Sequence, residues 1–189
     1  MMLKKIARTM AYIGSIITGF YLFASSPGFH KKEKWQHLTG WDYAHRGLHD
    51  NEHGIPENSM AAFQRAVDKG YGIELDVHLT ADNQLVVFHD DTLTRMCGIN
   101  KKISGFLYSY LQQLRLLGTE EGIPLFKDVL ALVDGKVPLI IELKVDGSNQ
   151  NLLCPLVWQL LSGYKGSYCI ESFHPFVLQW FKRHQPQVV

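Results

Sequence analysis

This chain of 189 residues has few cysteines and almost no excess of one sign of charge. The three cysteines, Cys97, Cys154 and Cys169, lie far apart without C-x-x-C spacing, and an odd number cannot form a closed set of disulfides. We interpret them as small buried hydrophobic residues. Lysine and arginine total 19 against 18 acidic residues, a net charge of +1, so nothing indicates a nucleic acid partner. No glycine-rich dinucleotide-binding fingerprint is present either.

The N-terminal region contains an uncharged apolar run from Met10 to Ala24. Basic residues precede this run: Lys4, Lys5 and Arg8. The best signal-peptide cleavage site, Ala24-Ser25-Ser26, is followed directly by Pro27, which disfavours cleavage. The run is shorter than the ~20 residues that usually span a bilayer. We nevertheless predict an uncleaved membrane anchor with a basic linker over residues 1–37, rather than a signal peptide or a buried core helix.

The predicted location is therefore the cell membrane, with a single N-terminal anchor. Because positive charge flanks both ends of the apolar run, the sequence leaves open which side of the membrane the remaining chain faces.

Residues 38–189 alternate between strand-like apolar runs and helical segments, which is typical of an α/β fold. The predicted strands cover residues 42–45, 71–77, 85–89, 137–144 and 168–173. The first helix begins at Pro56-Glu57-Asn58-Ser59, where Asn58 or Ser59 supplies the N-cap, and Gly70 ends it. Later helices are predicted over residues 125–132, 152–161 and 175–184. Residues 90–124 exceed a simple connection, and we interpret them as an insertion with a helix near residues 107–116.

Polar residues cluster at the carboxyl ends of several predicted strands. They are His45, Glu74, Asp76, His89, Glu142 and Lys144. Five strands fit an open parallel sheet or part of a (β/α)₈ barrel, and a TIM barrel keeps its active site at this end. We therefore predict a TIM barrel. Such barrels take about 250 residues, so residues 38–189 predict a barrel that is incomplete after its fifth strand.

Two strands carry charged residues two positions apart. Glu74 and Asp76 point to one face of their strand, and Glu142 and Lys144 repeat this spacing on another strand. Carboxylates that converge repel each other unless a cation lies between them. Three of them suit a hard divalent ion such as Mg²⁺ or Ca²⁺. A salt-bridged cluster without metal explains either strand equally well when it is considered alone.

Two histidines and two cations complete the candidate site. His45 and His89 each end a strand, and a near-neutral pKa suits histidine for proton transfer. One would remove a proton from the nucleophile and the other would protonate the leaving oxygen. Arg46 and Lys144 would neutralise a phosphate. Together with the acidic residues, this set predicts a metal-assisted phosphodiesterase.

These motifs, in this order, resemble the signature of the glycerophosphodiester phosphodiesterase family. They are His45-Arg46-Gly47, Pro56-Glu57-Asn58-Ser59, Glu74-Leu75-Asp76-Val77, Val87-Phe88-His89-Asp90-Asp91 and Ile141-Glu142-Leu143-Lys144. The resemblance implies a phospholipase-C-like TIM barrel that hydrolyses glycerophosphodiesters to sn-glycerol 3-phosphate and an alcohol. It also implies that residues 90–124 are the family's insertion beside the glycerol pocket.

The resemblance further implies a role for each site residue. His45 and His89 would be the acid and base, and Arg46 and Lys144 would bind the substrate phosphate. The ligands of one divalent cation, Mg²⁺ or Ca²⁺, would be Glu74, Asp76 and Glu142.

Two other functions remain open at this stage. One is a lysophospholipase D-like lipid phosphodiesterase, which a membrane anchor favours. The other is an inactive, membrane-tethered binding protein that keeps the fold but lacks the three strands expected after Phe173. A partner or a second copy of the chain would then complete the sheet, so self-association is an expectation too. His78 shares a strand face with Glu74 but is assigned no role.

Overall fold

The computed structural model describes residues 2–25 and 35–188. Within these ranges, the helices are α1 (Met2–Ser25), α2 (Met60–Lys69), α3 (Thr94–Cys97), α4 (Tyr108–Leu111), α5 (Phe126–Val133), α6 (Gln150–Leu161) and α7 (Pro175–His184). The strands are β1 (Tyr43–His45), β2 (Gly72–Leu79), β3 (Leu85–Val87), β4 (Leu139–Leu143) and β5 (Tyr168–Glu171). The predicted order of strands and helices is thus confirmed, except that α3 was not predicted and α4 is much shorter than expected; the other ends shift by a few residues.

Four of the strands form a parallel sheet in the order β1-β2-β4-β5. Its register brings the functional residues together, because His45 pairs with Glu74 and Asp76 pairs with Glu142. Within the described residues the sheet does not close on itself. Because these strands are parallel, their carboxyl ends lie together along one end of the sheet, which we call the open edge.

The third strand differs from the prediction. β3 runs antiparallel to the end of β2, with Val77 opposite Val87, so it forms a hairpin instead of a barrel strand. The barrel portion described here accordingly contains four parallel strands, not five. A short apolar run reveals that a strand is buried but does not reveal its direction, which explains the error.

The main core lies between the sheet and its covering helices. Ile73, Leu75 and Val77 on β2 are fully buried, as the alternation of β2 predicts. Leu139 and Ile141 on β4 are buried in the same cluster. Burying one face against helices leaves Glu74, Asp76 and Glu142 on the opposite face, so core packing fixes where the acids point.

The helix after the Pro56 motif has the predicted caps. Ser59, not Asn58, is the N-cap of α2, and its hydroxyl accepts a hydrogen bond from the N–H of Ala62 at 3.1 Å. Gly70 ends α2 in a left-handed conformation, with φ of 72°. The side chain of Asn58 is therefore free to serve the site.

The insertion packs around a small apolar core of its own. Val86 and Phe88 pack against buried residues of the insertion, which include Leu93, Met96, Ile103, Leu111 and Leu116. The predicted helix at residues 107–116 is wrong beyond one turn, since α4 stops at Leu111 and Leu117 takes a φ of 51°. Lys102 and Ser104 hold the insertion to Asp146, which follows β4.

The N-terminal prediction is supported only in its helical character, because α1 covers the apolar run. Nowhere in residues 2–25 and 35–188 does a helix combine the length and apolar character needed to cross a bilayer. The membrane anchor therefore stays a prediction without support from α1. Residues 26–34 lie outside the described residues, and they include most of the predicted basic linker, which runs from His30 to His37.

Candidate active site

Three carboxylates meet at the open edge of the sheet. Glu74, Asp76 and Glu142 each offer an oxygen, and these atoms lie within 4.8 Å of one another. Asp76 is fully buried and Glu142 is 8% exposed. Burial, together with repulsion from Asp76 and Glu142, raises the pKa of Glu74 to about 7. The donor set and this mutual repulsion both fit a hard divalent cation, so the acidic triad could hold a metal ion.

Lys144 contributes positive charge to the same cluster. Its ammonium lies 3.0 Å from the Oδ1 of Asp76 and 2.7 Å from the Oε1 of Glu142. The salt-bridged arrangement considered from sequence therefore exists on one side of the triad. Glu74 instead accepts a hydrogen bond from the backbone N–H of Arg46 at 2.9 Å. Lys144 thus neutralises two of the three acids, and Glu74 is left as the least compensated one.

Asn58 is a site residue to which the sequence assigned no role beyond a possible helix cap and a place in the family signature. Its Nδ2 donates to the Oδ2 of Asp76 at 2.8 Å, and the residue is 2% exposed. A positive φ of 54° turns the side chain of Asn58 towards Asp76, a backbone conformation that asparagine tolerates. The signal in the sequence was the position of Asn58 directly before the cap, where a side chain can point away from the helix.

The loop after β1 places Arg46 beside the acids. Arg46 has a φ of 58° and Gly47 a φ of 80°, and a Cβ at Gly47 would lie 2.9 Å from the Cβ of Ala62. Only glycine fits this tight contact with α2. The guanidinium of Arg46 donates from Nη1 to Glu57 at 2.9 Å, and its Nε lies 3.7 Å from Asp76.

The two predicted histidines flank the acids. His45 ends β1, with its Nε2 3.9 Å from the Oε2 of Glu74. Partial burial, followed by the charge of Arg46, lowers the pKa of His45, which favours its neutral form. His89 donates from Nδ1 to the carboxylate of Asp90 at 2.8 Å. Because a carboxylate can only accept, the imidazole hydrogen lies on Nδ1, which leaves Nε2 as the ring nitrogen for proton exchange.

His78 contacts the backbone of His89. Its Nε2–H donates to the backbone carbonyl of His89 at 3.2 Å, and the residue is 2% exposed. Burial lowers the pKa of His78, so it is a neutral donor. Sequence alternation placed His78 on the face of Glu74 but could not show what it contacts.

A second feature that sequence reasoning missed is a bridge built on Arg95 of α3. Its guanidinium donates to both oxygens of Glu57, at 2.7 and 2.8 Å, and to both oxygens of Asp90, at 2.8 and 3.0 Å. Burial opposes ionisation of Glu57, but hydrogen bonds from Arg95 and Arg46 outweigh it and lower its pKa. This bridge connects residues 38 positions apart in sequence.

All seven residues predicted for the site therefore lie at or beside one open edge of the sheet. The acids and Lys144 are in direct contact, and Arg46 and His45 adjoin them through Asp76 and Glu74. His89 follows the β3 hairpin and reaches the same region through the Phe88 N–H, which donates to the carbonyl of Asp76. Their individual roles stay predictions.

Comparison with known proteins places this arrangement in context. The sequence profile of the glycerophosphoryl diester phosphodiesterase family matches residues 45–187. Lysophospholipase D GDPD1 of Rattus norvegicus is 35% identical over 165 residues, covering 80% of this chain and 50% of that protein. A glycerophosphodiester phosphodiesterase of Bacillus altitudinis is 36% identical over 113 residues, covering 56% of this chain and 45% of that one. The chain thus spans about half the length of these curated relatives.

Solved structures share the fold. A phosphodiesterase of Oleispira antarctica, in complex with its product sn-glycerol-3-phosphate, superimposes with a TM-score of 0.73 at 25% identity, covering 80% of this chain and 65% of that one. A glycerophosphodiester phosphodiesterase of Parabacteroides distasonis gives 0.67 at 33% identity, covering 78% and 62%. The predicted fold class is confirmed, since the described sheet is part of a (β/α)₈ barrel of this type.

Proposed function

Because the chain belongs to the glycerophosphoryl diester phosphodiesterase family, we propose that it carries the hydrolytic site for glycerophosphodiesters, releasing sn-glycerol 3-phosphate and an alcohol. The observation that carries the proposal is the joint placement of three carboxylates, two cationic side chains and two histidines at one edge of the sheet. Each group alone has a structural explanation. Their combination supplies what cleavage of a phosphodiester needs.

The cationic residues would bind the phosphate. The guanidinium of Arg46 is planar and suits two phosphate oxygens at once, and the ammonium of Lys144 adds a point charge on the other side of Asp76. Binding between these groups would hold the phosphorus near both histidines. Positioning of this kind lowers the barrier because the reacting groups need no further search for their geometry.

The histidines would move the protons. His89 would exchange protons through its Nε2, because its Nδ1 donates to Asp90. His45 has its pKa lowered by burial and so is neutral near pH 7, which suits it to accept a proton. One histidine removes a proton from the nucleophile while the other donates one to the leaving alcohol oxygen.

Glu74, Asp76 and Glu142 would hold one divalent cation, Mg²⁺ or Ca²⁺. Such an ion would supply charge that offsets the negative phosphoryl oxygens. The pKa of Glu74, raised to about 7, supports this assignment, since an added cation would keep that carboxyl ionised.

A second candidate is hydrolysis of lysophospholipids at the same phosphodiester bond. It is favoured by the lysophospholipase D GDPD1 proteins of rat, human and mouse, which are 34–35% identical to this chain. The two functions share the chemistry and differ in whether the glycerol carries an acyl chain.

The test supplies the protein with Mg²⁺ or Ca²⁺ and with either glycerophosphocholine or lysophosphatidylcholine, and measures free choline. We expect hydrolysis that stops with excess chelator and resumes with added metal. His45→Ala and His89→Ala should each lower kcat by roughly 10²–10⁴. Asp42→Asn, a substitution of an exposed residue before β1, serves as the control. Hydrolysis at full rate in metal-free protein, or in both histidine variants, would contradict the proposal.

A further inference from the structure

Arg95 joins the two halves of the candidate site. One side of its guanidinium contacts Glu57, which also accepts from Arg46, and the other side contacts Asp90, which accepts from His89. The phosphate-binding and proton-transfer residues are thus linked through one planar cation. We propose that Arg95 is a positioning residue that sets Arg46 and His89 at the same time for the reaction. This inference rests on the proposed function.

The hydrogen bonds at Glu57 explain how Arg95 would act on Arg46. The Oε1 of Glu57 accepts from Arg46 at 2.9 Å and from Arg95 at 2.7 Å. Among residues 2–25 and 35–188, its Oε2 accepts from Arg95 alone, at 2.8 Å. Glu57 is only 6% exposed, so an unpaired oxygen there is costly. Without Arg95, the guanidinium of Arg46 would turn to satisfy both oxygens of Glu57. Arg46 would then be less available to a phosphate.

The hydrogen bonds at Asp90 explain the effect on His89. Arg95 holds the Oδ2 of Asp90 through Nε at 2.8 Å and the Oδ1 through Nη2 at 3.0 Å. The same Oδ1 accepts from His89. A carboxylate fixed in this way keeps the hydrogen of the imidazole on Nδ1 and leaves Nε2 towards the site. Since His78 fixes the backbone carbonyl of His89, both ends of this residue are restrained.

The insertion acquires a role through this bridge. Arg95 lies in α3 at the start of residues 90–124, whereas Glu57 belongs to the loop after β1. Docking of the insertion therefore completes the orientation of groups outside it. A lysine would replace Arg95 only in part, because an ammonium lacks the planar fork with which a guanidinium holds both oxygens of each carboxylate.

The experiment compares Arg95→Met and Arg95→Lys with two controls from the same insertion. Lys102→Met removes a different ion pair that holds the insertion, the one to Asp146. Arg115→Gln removes an arginine that donates to the backbone carbonyls of Gln112 and Leu114. Circular dichroism and the urea midpoint establish that each variant is folded.

The first readout is independent of activity. Two-bond ¹H–¹⁵N spectra at about pH 8, where an ordinary histidine is neutral, report the tautomer of His89, with the His89→Gln spectrum providing the assignment. We expect the Nδ1–H form in the unaltered chain and in both controls. Arg95→Met should give a mixture of tautomers, and Arg95→Lys an intermediate population.

The second readout separates binding from turnover. Arg95→Met should weaken binding of sn-glycerol 3-phosphate about tenfold, as loss of one charge-assisted contact would. It should also lower kcat/KM for glycerophosphocholine by roughly 10²-fold, through both kcat and KM. An unchanged His89 tautomer with unchanged ligand affinity in Arg95→Met would overturn the inference. Equal effects in Lys102→Met would overturn it too, because they would reduce Arg95 to a docking contact. If the unaltered chain hydrolyses no substrate, the proposed function fails. The tautomer of His89 in Arg95→Met still tests whether Arg95 is a positioning residue.

Discussion

Replacing Asn58 by alanine should destabilise the chain more than the loss of an ordinary buried contact. The hydrogen bond from Nδ2 to the buried carboxylate of Asp76 measures 2.8 Å, and a bond to a charged group contributes about 1.5–3 kcal/mol. Alanine would also have to adopt a φ of 54°, which costs it about 1 kcal/mol more than asparagine. The expected loss in the free energy of unfolding is therefore about 2.5–4 kcal/mol. Urea denaturation with linear extrapolation measures it.

Asn83 provides a matched control within the same chain. It has a similar φ of 60° but lies exposed in the turn between β2 and β3. Asn83→Ala should cost only the backbone contribution of about 1 kcal/mol. The difference between the two variants then isolates the hydrogen bond to Asp76. If both variants lose the same free energy, the contact with Asp76 contributes nothing and the reasoning fails.

Two further predictions concern the surroundings of the site. Gly47→Ala should lower the free energy of unfolding more than Gly40→Ala, because both glycines have a φ near 80° but only at Gly47 would the new Cβ meet Ala62, at 2.9 Å; equal losses in urea denaturation would argue against a steric role for this contact. Glu57→Gln should be less stable than the unaltered chain at pH 7, with a gap that closes in acid. The pKa of Glu57 lies below its ordinary value of 4.5 in the folded state, so its ionised form stabilises the fold above that pH, and this contribution disappears as the pH falls through the folded pKa. Thermal melts from pH 7 to pH 3 measure this stability gap, with exposed Glu52→Gln as the control. A gap that stays constant over this range would contradict the idea.

The sequence alone determined the parts of this protein that depend on local periodicity. Alternation along β2 and β4 separates Ile73 and Ile141, which are buried, from Glu74 and Glu142, which face the site. A strand cannot bury its apolar face without presenting the other one, so the acidic triad could be predicted from spacing. The cap at Ser59 and the stop at Gly70 are also local, since each satisfies backbone groups within one helical turn.

The tertiary structure alone decided the contacts that join distant segments. The direction of β3 depends on its pairing with β2, and a run of three apolar residues is compatible with either direction. Asn58 meets Asp76 only because the loop after β1 folds over the end of β2. The bridge from Arg95 to Glu57 likewise requires the insertion to dock against that loop. Such pairs leave no periodic pattern, because their geometry depends on where the chain returns in space and not on neighbouring residues.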